Sequence, residues 1–160
     1  MIDADEVSRQ VDYTEVEKVF GTRDRAKLRE IVFSSPEKRA QLEAIVHPLI
    51  RTESEEQLKA ALHGADPSAF VVYEASLLVE VGVPDFIKGL LVITCPEATQ
   101  QKRILDRDPS MTAELVQKIR AAQMPQSQKV AVAHWVITND GNEEQLEKKV
   151  LDWMNLVRRS

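Results

Sequence analysis

Three short apolar runs constrain the fold of this chain more than any other feature of its sequence. They read AFVVYE at 69–74, GLLVIT at 89–94 and HWVIT at 134–138. Because these runs scarcely alternate between polar and apolar positions, both faces of each strand are expected to be buried. Helical patterns separate the runs, and strands joined by helices pair in parallel. We therefore predict an α/β fold with three layers, in which helices cover both faces of a parallel sheet.

The predicted helices are marked by apolar residues at helical spacing and by typical capping residues. The first is predicted over 5–20. Asp24 and Ser35 are suited to cap the second and third helices. Pro48 lies inside the apolar series of the third helix and predicts a kink or break near His47. Further helices are predicted over 96–107, over 112–123 and at the C-terminus.

The composition excludes several classes of protein. A formal net charge of −5 over 160 residues argues against the broad basic surface that general nucleic-acid binding needs. The single cysteine, Cys95, excludes an intrachain disulfide, and the three histidines lack metal-ligand spacing, so no metal site is predicted. No run reaches the roughly eighteen apolar residues of a membrane span, and the start of the chain has no secretory pattern. We expect a cytoplasmic protein.

Carboxylates lie at the start of the first predicted helix and at the end of the first predicted strand. Asp3 and Asp5 flank a single alanine at the start of the chain, and Glu74 closes the run at 69–74. Ligands of open α/β sheets bind where strands end, so one aspartate is expected to orient or deprotonate a substrate hydroxyl. The alternative for both aspartates is a stabilising position at a helix N-terminus. The alternatives for Glu74 are a helix cap or a metal-phosphate contact.

Basic residues are concentrated between Lys102 and Lys129, where six bases stand against three acids. Arg103 and Arg107 are spaced i, i+4, so they would project from one helix face and could bind phosphate oxygens. The alternative is a solvated helix surface. Cys95 precedes this helix and is assigned to packing, because no basic residue adjoins it.

Six stretches occur in an order that resembles the dephospho-coenzyme A kinase family over essentially the whole chain. They are IDADEVSRQV, LREIVFSSPEKRAQLEAIVHPLIR, EASLLVE, RILDRD, KIRAAQMPQSQK and WVITNDG. The resemblance implies transfer of the ATP γ-phosphoryl group to the ribose 3′-hydroxyl of dephospho-coenzyme A (dephospho-CoA), which gives coenzyme A (CoA). It also implies a P-loop kinase fold with a helical substrate-binding insertion and a mobile lid.

The resemblance assigns roles to individual positions. The general base for the ribose hydroxyl falls on Asp5. The substrate-binding positions fall on Asp3, Arg9, His47, Glu74, Leu77 and Glu80. The phosphate or lid positions fall on Arg103, Arg107, Lys118, Arg120 and Gln123, and the turn near the adenine falls on Asn139 and Gly141. The implied ligands are dephospho-CoA, CoA and ATP with Mg²⁺, and neither a nucleic acid nor a membrane is an expected partner.

The family's plan also implies three parts of the chain. The nucleotide-kinase core would comprise 1–8, 65–100 and 134–160, the CoA-binding insertion 9–64, and the lid 101–133. Glu74 and Ser76 depart from the family pattern, since they stand for an aspartate and a proline. Lys118 stands for an arginine, so an ammonium point charge replaces the planar guanidinium of the family.

The family's phosphate-cradling loop has no counterpart in these residues. No G-x-x-x-x-G-K-[ST] run occurs, and the five glycines are scattered. Relatives carry a first strand, this loop, a helix and a second strand before the D-A-D motif, so we expect that roughly thirty residues are missing through start-site assignment or gene decay. Negligible kinase activity is therefore expected of this chain. A non-catalytic, vestigial CoA-binding protein is the alternative function.

Overall fold

A computed structural model describes residues 1–33, 35–66 and 69–159, and it confirms an α/β protein with parallel strand pairs. Residues 67, 68 and 160 of the predicted core lie outside the described residues. The chain divides into two compact units, Met1–Ser76 and Leu77–Ser160. No helix in the described ranges is long and apolar enough to cross a bilayer.

The first unit combines a pair of short strands with helices. Its elements are β1 (Ile2–Asp3), α1 (Ala4–Gln10), α2 (Thr14–Phe20), α3 (Arg25–Phe33), α4 (Pro36–Leu62) and β2 (Tyr73–Glu74). β1 and β2 pair in parallel, with Ile2 beside Tyr73 and Asp3 beside Glu74. The carboxyl ends of both strands therefore meet at one edge. The strand predicted over 69–74 is shorter than expected, since only its last two residues pair.

The core of the first unit is built where α2, α3 and α4 meet. Val16, Leu28 and Val46 are buried and pack together, one from each helix. Partly buried residues pack against this cluster: Tyr13, Phe20, Leu42, Ile45 and Ile50. Because α4 supplies four members of the whole group, α4 is the support on which the other two helices pack.

α4 runs without interruption from Pro36 to Leu62, so of the predicted kink or break near His47 the break is wrong. Pro48 has no N–H for the carbonyl four residues earlier, and a proline inside a helix costs about 3 kcal/mol. Burial of a large aliphatic side chain contributes about 1.5–3 kcal/mol. The apolar residues of α4 before and after Pro48 pack in the same core, and their burial offsets the lost hydrogen bond.

The single helix predicted over 5–20 is two helices, α1 and α2, and the prediction is wrong at residues 11–13. Asp12 accounts for the interruption. Its carboxylate accepts hydrogen bonds from the Thr14 amide at 2.9 Å and the Thr14 hydroxyl at 2.7 Å. Such a local bond offers the backbone an alternative to continuing the helix.

The second unit pairs two longer strands. Its elements are α5 (Leu78–Val81), β3 (Leu91–Thr94), α6 (Glu97–Arg107), α7 (Ala113–Ala121), α8 (Gln126–Ala131), β4 (Trp135–Thr138) and α9 (Glu143–Val157). β3 and β4 pair in parallel over four residues, from Leu91 beside Trp135 to Thr94 beside Thr138. The strands and long helices of this unit agree with the sequence prediction. The short helices α5 and α8 were not predicted, because they are too short for apolar residues to repeat at helical spacing.

Gly89 precedes β3 at a point where no side chain fits. A Cβ atom there would lie 2.3 Å from Cζ3 of Trp135. The Trp135 ring in turn meets Trp153 of α9 edge-on, with 6.1 Å between ring centroids. The entry to β3 is therefore shaped by a close approach of its backbone to an aromatic pair.

Val16 and Val19 give a matched test of the first core. Val16→Ala should lower the free energy of unfolding by about 1–3 kcal/mol, because it removes methyl groups from a fully buried position. Val19 lies on the same helix and is 56% exposed, so Val19→Ala should change that free energy by less than about 0.5 kcal/mol. Urea denaturation measures both values. Equal losses from the two substitutions would show that the cluster at Val16 is not the core.

Candidate functional site

The carboxyl ends of β1 and β2 bring two acidic residues together. Asp3 and Glu74 are direct neighbours in the parallel pair, and both are exposed. Side chains at paired positions project to the same face of a sheet, where like charges disfavour pairing. This edge is therefore better suited to a ligand than to stabilising the strands.

Asp3 and Asp5 have different surroundings although only Ala4 separates them. Asp3 is the N-cap of α1, and its Oδ1 accepts from the Asp5 amide at 2.8 Å and the Glu6 amide at 3.4 Å. The alternative of a helix-terminal carboxylate therefore describes Asp3. The Asp5 carboxylate is exposed in the first turn of α1, and no hydrogen bond from any described residue reaches it. Asp5 keeps all its oxygen lone pairs available to a reacting group.

Two further positions of the first unit belong to α1 and α4. Arg9 forms an exposed ion pair with Glu6 at 3.0 Å, and a pair of this kind contributes little to stability. Arg9 can therefore exchange its partner for an anionic ligand at low cost. His47 is half-buried on α4. Gln57 of α4 donates to Gln10 of α1 at 3.1 Å, which links the two helices that carry Arg9 and His47.

In the second unit, Arg103 of α6 holds the turn that follows β4. Its Nη1 donates to the Asn139 carbonyl oxygen at 2.9 Å and to Asn139 Oδ1 at 3.0 Å, and its Nη2 donates to the Gly141 carbonyl oxygen at 2.7 Å. The Asn139 amide donates to the Thr94 carbonyl at 2.7 Å, which ties the turn to the end of β3. The structure thus brings both predicted adenine positions together with one predicted phosphate position.

The remaining phosphate or lid positions differ in their partners. Arg120 forms an ion pair with Glu97. Arg107 and Lys118 are exposed and have no ion pair or side-chain hydrogen bond among the described residues, and the Gln123 side chain is also exposed. Arg107 and Lys118 are therefore the two of these cations that remain available to an anionic ligand.

Glu80 joins α5 to the start of α8. Its Oε1 accepts from Lys129 Nζ at 2.7 Å and from the Met124 amide at 3.3 Å. Burial alone would raise the pKa of Glu80, but hydrogen bonds and the charge of Lys129 outweigh it and hold the pKa below its ordinary value of 4.5. Its other oxygen, Oε2, is buried without a partner among the described residues. Leu77, the other predicted substrate position near α5, is exposed.

Two residues of the second unit, Gln126 and Lys129, make contacts that the sequence analysis did not predict. Gln126 Oε1 accepts from the Cys95 amide at 3.2 Å, and Lys129 pairs with Glu80. Both belong to the KIRAAQMPQSQK stretch, and the many polar residues of that stretch could have identified them as candidates. The statement that no basic residue adjoins Cys95 is wrong, because α6 brings Arg103 Nη1 within 3.8 Å of its Sγ.

An open depression of about 430 Å³ lies beside the turn that Arg103 holds. Its lining residues are Asp140, Gly141, Gln145, Lys148, Lys149 and Asp152. Lys149 Nζ donates to the Thr138 carbonyl at 2.6 Å and to Asp140 Oδ1 at 2.9 Å, and this contact lowers the pKa of Asp140. Two cations, Arg103 and Lys149, therefore hold the turn.

Comparison with known proteins assigns this chain to one family. The family model described as dephospho-CoA kinase matches residues 1–145. A dephospho-CoA kinase of Hydrogenovibrio crunogenus is 36% identical over 93% of this chain and 81% of its own length. A dephospho-CoA kinase of Xanthomonas campestris is 39% identical over 81% of this chain. The chain covers 61% of the length of that relative.

Two solved structures share the fold of this chain. The crystal structure of TT1252 from Thermus thermophilus has a TM-score of 0.79 and 29% identity, and the match covers 96% of this chain and 82% of that one. Dephospho-CoA kinase from Campylobacter jejuni has a TM-score of 0.71 at 23% identity, over 99% of this chain and 84% of its own. The second likeness shows a shared fold.

Lys129→Met tests the contact between α5 and α8. It should lower the free energy of unfolding by about 1–3 kcal/mol at neutral pH, because the Glu80 carboxylate, only 19% exposed, loses its cation. The control is Lys59→Met, whose partner Glu55 lies 4.0 Å away on an exposed surface. This control should change stability by less than about 0.5 kcal/mol. Thermal and urea unfolding measure both.

The same pair predicts a dependence on pH. Because the folded pKa of Glu80 is lowered, its contribution is complete above the ordinary pKa of 4.5 and is lost as the pH falls through the folded value. The difference in stability between the unmodified chain and Lys129→Met should therefore shrink below pH 4.5. A difference that stays constant down to acid unfolding would contradict the ionised pair.

Proposed function

The chain belongs to the dephospho-CoA kinase family, and we propose that its residues take part in transferring the ATP γ-phosphoryl group to the ribose 3′-hydroxyl of dephospho-CoA. The observation that carries this proposal is the Asp5 carboxylate, which is exposed and unpartnered among the described residues in the first turn of α1, two residues after β1 ends. A hydroxyl nucleophile needs a base within hydrogen-bond reach, and an unpartnered carboxylate at a strand end is placed to act as one.

In the proposed reaction, Asp5 accepts the proton of the 3′-hydroxyl as its oxygen attacks the γ-phosphorus. The bond from the γ-phosphorus to the bridging oxygen of ADP breaks, and ADP leaves with that electron pair. Phosphoryl transfer needs little covalent chemistry from a protein beyond alignment and cationic stabilisation. Asp3 supports this role through the hydrogen bond at 2.8 Å from the Asp5 amide to its carboxylate, which holds the first turn of α1.

The residues proposed to bind the coenzyme lie mainly on the helices of 9–64. Arg9, whose ion pair with Glu6 is exposed, would bind a phosphate of dephospho-CoA. His47, half-buried on α4, would contact the coenzyme from the next helix. Glu74, next to Asp3 in the sheet, would accept a hydrogen bond from the ribose. Leu77 and Glu80 remain proposed substrate positions.

The residues proposed to bind the nucleotide belong to the second unit, and 101–133 is proposed as the lid. Arg107 and Lys118, which lack partners among the described residues, would stabilise the charge of the transferring phosphoryl group. Arg120 and Gln123 would assist once Arg120 leaves Glu97. ATP would enter as its Mg²⁺ complex, with the metal carried on the phosphates of the substrate. Asn139 and Gly141 would lie near the adenine.

A second function is favoured by one sequence observation. The 160 residues contain no G-x-x-x-x-G-K-[ST] run, whose backbone amides and lysine hold triphosphate in P-loop kinases. We therefore keep a non-catalytic CoA-binding protein as the second candidate. For both functions the proposed location is the cytoplasm. The proposed partner is dephospho-CoA or CoA, and neither a membrane nor a nucleic acid is an expected partner.

Binding of the coenzyme gives the first test. We expect the purified chain to bind dephospho-CoA, and His47→Ala to weaken that binding about threefold to tenfold through one lost polar contact. His63→Ala is the matched control, because His63 lies at the C-terminal cap of the same helix and is exposed. Isothermal titration calorimetry measures the affinities. Equal effects of the two substitutions would remove His47 from the site, and absence of binding would contradict both functions.

Formation of CoA from dephospho-CoA and MgATP gives the second test, read by mass spectrometry. We expect the chain on its own to transfer phosphoryl at a rate close to background. Any turnover that is found should fall by about a hundredfold or more in Asp5→Asn, which keeps the shape of the side chain but removes the base. Asp24→Asn is the control, because Asn caps a helix as well as Asp does. Turnover that survives Asp5→Asn would exclude Asp5 as the base.

A further inference from the structure

The C-terminal end of α1 is held by a side chain from α3. Nη1 of Arg25 donates to the Ser8 carbonyl oxygen at 3.2 Å and to Ser8 Oγ at 3.1 Å. Ser8 lies in the last turn of α1, where carbonyls have no amide partner within the helix. The Val11 amide donates to the Val7 carbonyl at 3.3 Å, and Arg25 supplies the donor for the next carbonyl along the helix. The Arg25 side chain therefore caps α1 from 17 residues further along the chain.

The position of Arg25 is unfavourable for the helix that carries it. Arg25 is the first residue of α3, and a positive charge is disfavoured at a helix N-terminus. The same charge is favourable at a helix C-terminus, which is where Arg25 meets α1. α1 has only seven residues, and a helix of that length is marginal in water without outside contacts. The contact with α1 thus accounts for a charge that α3 does not need.

The contact continues from Ser8 into the first turn of α1. A guanidinium has donors only, so Ser8 Oγ must accept from Arg25, and its single proton is left for another acceptor. Ser8 Oγ donates this proton to the Asp5 carbonyl oxygen at 2.7 Å. Ser8 is buried, so water competes little for the two hydrogen bonds of its hydroxyl. Arg25 is thereby connected to the backbone of Asp5.

We propose that Arg25 is a positioning residue, which acts through Ser8 to fix α1 and with it the direction of the Asp5 carboxylate. The inference rests on the proposed function, in which Asp5 is the base. Asp3 holds the N-terminal end of α1 and Arg25 holds its C-terminal end, so the helix is fixed at two points. A base must lie within hydrogen-bond reach of its hydroxyl, and a displacement of about 1 Å can cost about a hundredfold in rate.

Residual dipolar couplings of the ligand-free chain test the positioning directly. In Arg25→Met, the amide vectors of α1 should change direction relative to those of α4, while the couplings within α4 stay the same. Arg25→Lys should keep most of the native orientation, because both bonds come from one nitrogen and an ammonium has three donors. Lys27→Met is the control, since Lys27 is an exposed cation on the same helix. An unchanged orientation of α1 in Arg25→Met would overturn the proposal.

The affinity for dephospho-CoA, measured by isothermal titration calorimetry, tests whether Arg25 acts through Asp5. We expect Arg25→Met and Asp5→Ala each to weaken binding about threefold to tenfold, because each impairs a hydrogen bond to the ribose. The loss in the double variant should be smaller than the product of the two single losses, since both changes act on one contact. Losses that multiply would indicate a merely structural role and overturn the proposal. Absence of any binding would contradict the proposed function, while the dipolar couplings still decide whether Arg25 positions α1.

Discussion

Parallel pairing of short strands is the constraint on which the candidate site depends. A parallel pair places both carboxyl ends at the same edge, so residues far apart in sequence become neighbours there. In the first unit this edge carries Asp3 and Glu74, and in the second it joins Thr94 to Asn139. A register shift of one residue would turn these side chains to the opposite face. The chemistry of each edge is therefore set by backbone hydrogen bonds before any side chain contributes.

The cations of the second unit differ in whether protein acceptors hold them. Arg103 and Lys129 are held by fixed acceptors, and their removal would disturb the turn or the start of α8. Arg107 and Lys118 are exposed. A run of basic residues in the sequence cannot show this division, because the acceptors of Arg103 lie 36 and 38 residues further along the chain. A cation committed to several carbonyls loses more on binding phosphate than one that is hydrated.

Local rules explain which parts of the fold could be predicted. Asp24 and Ser35 cap α3 and α4 as expected, accepting from the amides three residues later at 2.9 Å and 3.2 Å. The predictions failed where a local preference competed with packing. Asp12 stops a helix whose apolar spacing continues, and the core around α4 keeps a helix intact through Pro48. The pairing of Arg103 with the turn 139–141 could not be predicted, because the two are far apart in sequence and only the folded chain brings them together.

The two aspartates of the D-A-D motif, Asp3 and Asp5, differ in their hydrogen-bond partners. Asp3 Oδ1 accepts from two amides of the first turn, so this oxygen holds α1 to the end of β1. Asp5 lies inside that turn, and its own amide is one of the groups that Asp3 holds. The first aspartate therefore acts on the second through the backbone, and it fixes the direction in which the Asp5 carboxylate leaves the helix. In the reaction proposed above Asp5 is the base, and its unpartnered carboxylate has lone pairs available for the proton of a hydroxyl.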